Sequence, residues 1–467
     1  VRAGVVFEIR SFGDFEEMIA SPAFWGKRYA VLGLARSGLA SVEALLASGA
    51  YVAAWDNREE ARSSVEALNN PAVQLIDPLA IDLTGYDGVV VSPGVPVNRH
   101  PIADHAARAG VPVIGDIELF SAARSHLPEH KVVAITGTNG KSTTTALVHH
   151  ICVSAGRNAL MGGNIGLPIM GQDPLQPNAA GPGVYVLELS SYQIDLTYSL
   201  APDISALINL SPDHLDRYNG YEGYAASKAR LPGMQDPGQH AVFGAGDADT
   251  LRIAQETAAR SDGPEVHVVD PGALKGQADW PSLQGPHNLQ NAAIAVMMVE
   301  QLGITEAQWR PALASFVGLP HRMERVATYN GVLFVNDSKA TNPASTAPAL
   351  GAFPRIHWIV GGLPKADDLD ACTPWLGHVA AAYTIGEAGP RYAELLETRV
   401  PVTRSEMLCE AVRQAMDAAT PGDVVMLSPA CASFDQFRDF EARGDAFRDM
   451  VKALIAERTE QQGEPRP

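Results

Sequence analysis

The sequence predicts an α/β protein built from three sheet-bearing domains. Apolar runs of strand length alternate with longer helical stretches, polar or glycine-rich turns follow those runs, and 467 residues exceed the roughly 150 typical of one domain. Such alternation gives parallel sheets covered by helices, with ligands gathered beyond the carboxyl ends of the strands.

In the first domain, expected over residues 1–121, "RYAVLGLARSGLASVEALLASGAYVAAWD" reads as strand, turn, helix, strand, one right-handed βαβ unit. Its turn, Gly33-Leu34-Ala35-Arg36-Ser37-Gly38, is a G-x-G-x-x-G with alanine at the second glycine, and Asp56 stands where an acid would meet a ribose. This domain is Rossmann-like. The Cβ of Ala35 hinders close approach of backbone to pyrophosphate, which weakens a dinucleotide-dependent oxidoreductase. A nucleotide-like anion at the helix start and a purely structural turn both remain open. "YDGVVVSPGVP" ends in Ser92-Pro93-Gly94, a second loop that could close on the same ligand.

The second domain, expected over 122–319, carries "VVAITGTNGKSTTTALV". Val132 to Ile135 read as a buried strand and the Thr-rich segment after Lys141 as a helix start. The common phosphate loop would place its first glycine at Ile135, so the match is partial. Gly137 and Gly140 let backbone N–H groups approach phosphate oxygens, Lys141 reaches the β/γ-phosphates, and the Ser142 hydroxyl suits Mg²⁺. ATP or GTP follows, in a P-loop ATPase-like parallel-sheet domain; the alternative is an ordinary glycine-containing turn. No N-K-x-D guanine reader accompanies it. "GGNIGLP", "GVYVLELSSYQID" and "ISALINLSPDHLDRY" are candidate central strands. Glu188, inside the second of these, is costly to bury unless it meets Mg²⁺ near Ser142 or hydroxyls such as Ser190. His214 lies between Asp213 and Asp216. "GPHNLQNAAIAVMMVEQL" reads as a long amphipathic helix whose Asn288 and Asn291 share a face, a pair that capping or surface hydrogen bonding would also explain.

The third domain, expected over 320–467, opens after "VGLPHRMERV" and is a further Rossmann-like α/β unit. "VLFVNDSKATNPAST", "HWIVGGLPKADDL" and "DVVMLSPACASFDQFRDFEARG" are its strands, each feeding a polar loop. Glycines before Lys365 suit a loop that approaches a ligand, against pairing of that lysine with Asp367 or Asp368.

Hydrophobic residues make up 46% of the chain, ample material for packed cores. With 53 acidic and 35 basic residues the net charge is −18, which opposes nucleic acid and anionic membranes while leaving room for a small anionic substrate in a cationic cleft. Cys152, Cys372, Cys409 and Cys431 form no C-x-x-C, so neither a cysteine zinc site nor a disulfide framework is expected. No apolar run approaches the ~20 residues of a membrane span, and acidic residues come early in the N-terminal stretch. The expectation is a cytoplasmic monomer with no membrane insertion and no nucleic-acid partner.

Taken in order, the phosphate loop, Glu188, "DHLD", "HNLQN", "LPHRME", "NDSKATN" and "SPACASFDQF" resemble the Mur ligase family over nearly the whole chain. "TGTNGKST" is shared with folylpolyglutamate synthetases and marks the class, whereas "NDSKATN" and "SPACASFDQF" resemble the D-glutamate-adding members. The resemblance implies an ATP-dependent acid–amino-acid ligase of peptidoglycan precursor synthesis, in which the carboxylate of UDP-N-acetylmuramoyl-L-alanine becomes an acyl phosphate. The amine of D-glutamate then attacks through a tetrahedral intermediate. A sibling Mur ligase, or a ligase like the folylpolyglutamate synthetases, adding another amino acid is the alternative.

On the same resemblance Lys141, Glu188, His214 and Lys228 are catalytic. ATP meets Thr138, Asn139, Gly140, Lys141, Ser142, Thr143, Asn288, Asn291, Arg322 and Asp337. The UDP substrate meets Gly33, Leu34, Ala35, Arg36, Ser37, Gly38, Asp56, Asn57, Arg58, Ser92, Pro93, Gly94 and Asn164, and D-glutamate meets Thr341, Lys365, Ser433 and Phe440. Two Mg²⁺ ions are implied, held by Ser142, Glu188, His214 and a carbamylated Lys228. Composition and spacing alone would make Lys228 a solvated helix lysine.

Overall fold

The computed structural model describes residues 18–213, 217–218, 220–365 and 367–463. These divide into two compact units, Val1–Val269 with Ile294–Trp309, and Asp270–Ala293 with Arg310–Pro467.

The first unit holds two parallel sheets. One comprises β1 (Arg28–Leu32), β2 (Tyr51–Trp55), β3 (Val73–Leu75), β4 (Gly88–Val91) and β5 (Val113–Ile114), in the order β3-β2-β1-β4-β5. Strand order reverses between β1 and β4, so the loops after these two strands flank the crevice where open α/β sheets bind ligands. The other sheet comprises β6 (His130–Thr136), β7 (Ala159–Gly163), β8 (Gly183–Glu188), β9 (Ile204–Leu207), β10 (His240–Gly244) and β11 (Glu265–Val269). Its order is β11-β10-β9-β6-β8-β7, with all pairs parallel. The phosphate-loop strand β6 is thus flanked by the ends of β8 and β9. Of the three runs expected as central strands, the one at β7 lies at the sheet edge, where most of its residues are half-exposed, whereas every residue of β8 is buried. One apolar core joins both sheets, taking in Val31 of the first sheet, Val42 of the Arg36–Ala47 helix on it, and Val132, Ala134, Tyr185 and Leu187 of the second. The Phe120 and Tyr185 rings meet edge to face within it, centroids 5.0 Å apart.

The second unit holds β12 (Glu324–Tyr329), β13 (Val332–Asn336), β14 (Ile356–Gly361), β15 (Val379–Ile385), β16 (Val402–Glu406) and β17 (Val424–Leu427), ordered β12-β13-β17-β14-β15-β16. Only β12 in this sheet is antiparallel to its neighbour. The three strands expected from the sequence are the adjacent trio β13, β17 and β14, so their polar loops leave the sheet side by side. Alternate residues feed two core layers: Trp358 and Val360 face one, Ile359 the other.

The Pro286–Gln301 helix departs from the amphipathic expectation. From residue 291 to 299 it is buried on every side except for half-buried Met297, because "AAIAVMMV" contains no polar stripe. Among the described residues no helix is long and apolar enough to cross a membrane. All four cysteines are free, and Cys152, Cys372 and Cys431 are buried.

Candidate active site

The loop after β6 is shaped by its glycines. Gly137 has φ 151° and Gly140 φ 85°, and Gly140 caps the Lys141–Ser154 helix without a side-chain hydrogen bond, leaving the helix start to face the loop. The end of β9 clamps this loop. Thr138 N donates to Asn209 O at 2.9 Å, Asn139 N to Asn209 Oδ1 at 2.9 Å, and Asn209 Nδ2 returns to Asn139 O at 3.2 Å. The Thr138 hydroxyl turns inward to Ser211 O and Tyr224 OH, each at 3.1 Å. Lys141 lies over the loop, donating to Gly137 O at 2.9 Å and Thr138 O at 2.8 Å. Ser142 is buried at the helix start and Thr143 is half-buried.

Glu188 ends β8, in register with Ile135 of β6, and is 1% exposed. Its Oε1 accepts from Asn164 Nδ2 at 2.8 Å, while the buried Oε2 has no hydrogen-bond partner among the described residues. Ser190, the sequence-based alternative partner, instead caps the Ser191–Asp195 helix in a box with Gln193. A buried carboxylate oxygen without a donor is costly, and a cation on that oxygen removes the cost.

Lys228, in the Tyr221–Gly233 helix, overturns its reading as a solvated residue: it is 2% exposed, donates to Thr136 Oγ1 at 3.2 Å and sits 4.9 Å from the Tyr224 ring centroid. Burial, followed by the Lys141 charge, pushes its pKa well below the usual lysine range, against opposing acids Asp213, Glu188 and Asp195. His214 and Asp216 lie outside the described residues.

A cavity of about 330 Å³ brings the two sheets of the first unit together. Pro93 and Gly94 come from the loop after β4; Lys141, Asn164 and Lys228 come from the helices and loops around the second sheet, with Tyr192, Asp213, Arg217 and Tyr224. Arg217 bridges the two sides. Its guanidinium carbon lies 3.8 Å from the Tyr192 ring centroid, and its Nη2 donates to Pro93 O at 3.3 Å and Val95 O at 2.6 Å. The sequence reading passed over both Arg217 and Asn209; Asn209 stands two residues past the end of β9, a position that would have marked it, whereas Arg217 lies ten residues past that end and carries no such signal.

Around the crevice after β1, Ser92 Oγ donates to Gly33 O at 2.7 Å, and a Cβ on Gly38 would overlap the same carbonyl. The glycines here serve close packing of loop, strand and helix. Asp56 accepts from Leu34 N at 2.8 Å, Arg58 N at 2.9 Å and Arg58 Nε at 3.2 Å. Burial opposes its ionisation, but the hydrogen bonds from Arg58 and Leu34 outweigh it and hold the pKa at about 2. Ala35, Arg36, Asn57 and Arg58 are exposed, Ser37 is half-buried and Leu34 is buried.

In the second unit Lys365 Nζ donates to Thr341 Oγ1 at 3.3 Å, uniting two residues read as D-glutamate contacts. The buried Ser433 hydroxyl has no partner among the described residues, and the Phe440 ring carries Lys339 Nζ 3.6 Å from its centroid. Arg443, 1% exposed and missed from sequence, stitches their loops together by donating to Ser338 O at 2.9 Å and to the carbonyls of Cys431 and Ala432, each at 3.0 Å. Leu363 and Ala432 exchange backbone hydrogen bonds at 2.9 Å. Asp337, beside half-buried Arg322, accepts from Ser428 Oγ at 2.7 Å and Met323 N at 3.2 Å; burial nevertheless pushes its pKa up to about 7. Asn288 and Asn291 are buried, and Asn291 Nδ2 donates to Asn288 Oδ1 at 3.3 Å.

A phosphate-type loop and a buried lysine around one cavity, with an ion-ready buried acid behind the lining residue Asn164, mark a nucleotide-dependent enzyme of the α/β class. The chain belongs to the Mur ligase family. The family models described as Mur ligase MurD-like N-terminal domain, Mur ligase middle domain, and Mur ligase glutamate ligase domain match residues 27–115, 135–280 and 321–431. Relatives named UDP-N-acetylmuramoylalanine–D-glutamate ligase include that of Novosphingobium aromaticivorans, 74% identical over 94% of this chain and 98% of its own. Another, from Sphingopyxis alaskensis, is 58% identical over 94% of this chain and 100% of its own. The fold is also that of MurF ligase from Thermotoga maritima in complex with ADP, with TM-score 0.60 and 14% identity over 94% of this chain and 97% of that one.

Proposed function

We infer that this protein is an ATP-dependent ligase that joins D-glutamate to UDP-N-acetylmuramoyl-L-alanine, releasing ADP and phosphate, in peptidoglycan precursor synthesis. One observation carries the reading: Lys141, Asn164 and Lys228 share a cavity with Pro93 and Gly94 of the first sheet, so a phosphate-binding loop opens onto the ligand crevice of its neighbour. The names and high identity of the relatives support the substrates.

A carboxylate is a poor electrophile because oxide is its leaving group. In this reading ATP converts the substrate carboxylate to an acyl phosphate, the D-glutamate amine adds to its carbonyl, and the resulting tetrahedral intermediate expels phosphate. The N–H groups at the helix start, residues 140–143, and the Lys141 ammonium hold the transferring phosphoryl group, and catalysis is mainly positioning and charge neutralisation. The substrate's UDP part lies against the loops after β1, β2 and β4, with Asn164 nearer the reacting end. Asn288, Asn291, Arg322 and Asp337 serve the adenosine side; Thr341, Lys365, Ser433 and Phe440 receive D-glutamate.

Mg²⁺ fits the donors present, because Glu188 Oε2 is a buried oxygen with no partner among the described residues and Ser142 adds a hydroxyl. When bound, it would neutralise phosphate charge. Lys228 fits as a carbamate: burial favours its neutral amine, which adds to CO₂ with loss of one proton and becomes an oxygen ligand, so that with His214 a second ion would be held. The domain division 1–121, 122–319 and 320–467 follows the three sheets, and an ATP-dependent reaction suits a cytoplasmic setting.

The test is ADP release with UDP-N-acetylmuramoyl-L-alanine across a panel of amino acids. D-Glutamate is the expected preferred substrate, and preference for L-alanine or a diamino acid would overturn the reading. Lys365→Met should weaken D-glutamate use roughly ten- to a hundredfold through loss of a charge-assisted hydrogen bond, leaving ATP affinity unchanged.

A further inference from the structure

Strand β11 is an edge strand of the second sheet, and β10 is its partner. His240 and Glu265 begin these strands as direct register partners, and His267 follows Glu265 by two residues, which puts it on the same face. The side chains converge. His240 Nδ1 and His267 Nε2 are hydrogen-bonded at 3.1 Å, and each nitrogen faces a Glu265 carboxylate oxygen, at 3.7 and 3.8 Å respectively. One ligand atom from each of the three residues lies within 4.8 Å of the others.

We propose that His240, Glu265 and His267 form a metal site for Zn²⁺ or a similar divalent transition ion. Zinc takes imidazole nitrogens at about 2.0–2.1 Å in tetrahedral geometry, which sets its donors about 3.3 Å apart. The two nitrogens already stand near that spacing. Because a different oxygen faces each nitrogen, the carboxylate must turn and close to bring one oxygen to zinc-ligand spacing from both; the Glu265 side chain is 66% exposed, which leaves it room to do so. Two nitrogens and one oxygen leave the fourth position to water. Imidazole donors select zinc, nickel or copper over Mg²⁺, which prefers oxygen ligands and dehydrates reluctantly.

The site is separate from the phosphate loop. It lies at the amino ends of β10 and β11, whereas the loop leaves the carboxyl end of β6, with β9 between β6 and β10. A bound ion ties the edge strand to its neighbour and stabilises the folded state by mass action. It also covers two imidazoles and a carboxylate that would otherwise remain on a sheet edge.

Equilibrium dialysis of the full chain against Zn²⁺, with Mg²⁺ in large excess to occupy oxygen-donor sites, tests the proposal. The expected result is one bound equivalent that is lost in both His240→Ala and His267→Ala and bound at least tenfold more weakly by Glu265→Gln. The melting temperature should rise with Zn²⁺ most in the parent protein, less in Glu265→Gln and not in either histidine variant, while Mg²⁺-supported ADP release stays unchanged in all three variants. Should a histidine variant misfold, the zinc position found by anomalous scattering from crystals of the parent protein decides the matter. Absence of Zn²⁺ binding by the parent, retention of that equivalent by folded histidine variants, or an anomalous peak elsewhere would overturn the site and leave a hydrogen bond between two rings.

Discussion

The loops after β1 and β6 begin alike. Each leaves a central parallel strand, turns on a glycine with positive φ (Gly33 at 88°, Gly140 at 85°) and enters a helix whose start has no side-chain cap. Their surroundings diverge. After β1 the nearby acid, Asp56, is satisfied by Leu34 and Arg58. After β6 a lysine covers the loop, Glu188 brings a buried oxygen with no partner among the described residues, and a second lysine is held in burial beside them. Strand–glycine–helix geometry supplies a place for an anion, and reactivity comes from charges that neighbouring strands bring in without water.

Four substitutions break or sharpen this contrast. Lys141→Ala should lower kcat/KM for ADP release on the order of a thousandfold while the melting temperature holds, because it removes the cation that follows the transferring phosphoryl group. Near-normal turnover in a folded variant would make the two loops equivalent. Lys228→Ala should be nearly as damaging, and a small carboxylic acid supplied in solution should restore part of the activity by replacing the carbamate. Full activity of the parent with only free amine at Lys228, read by intact mass under bicarbonate, would remove the carbamate from the reading.

The loop after β1 should answer through stability. Gly38→Ala forces a methyl into the Gly33 carbonyl and should cost about 2–3 kcal/mol in denaturant unfolding and raise KM for the UDP substrate lying against this loop, with kcat of the folded fraction largely kept. The smallest effect belongs to Asp56→Ala. Its folded pKa of about 2 is depressed, so its contribution is present above the ordinary carboxylate range and is lost as pH falls through about 2. Because its partner Arg58 is largely exposed, that contribution is discounted to about 1 kcal/mol at neutral pH. The gap between parent and variant in urea unfolding should narrow on acidification; a gap that widened would show that the carboxylate is not held in its charged form.

The phosphate loop was legible because adjacent positions carry its requirements: apolar residues for β6, Gly137 and Gly140 for positive φ, then Lys141 and Ser142 at a helix start. The trio β13, β17 and β14 was legible for a similar reason, each strand being an apolar run that ends in a polar loop. Lys228 was not. "YAASKARL" reads as an ordinary helix, and the low-dielectric setting of its amine comes from Thr136, Tyr224 and Lys141, which are distant in sequence. Arg443 likewise begins as one arginine in a polar helix, and only packing brings the carbonyls of Ser338, Cys431 and Ala432 around it.

By itself, then, the sequence determined the α/β class, the succession of strands and loops, and the residue types at each strand end, since backbone dihedrals and hydrophobic periodicity act over a few neighbouring residues. Tertiary structure decided that β7 is an edge, that Thr138 turns inward, that Glu188 keeps an oxygen without a donor, and that His240, Glu265 and His267 meet across two strands. The physical reason is solvation: whether a charge is screened by water or held in protein depends on the groups packed around it, and chains far apart in sequence supply those groups.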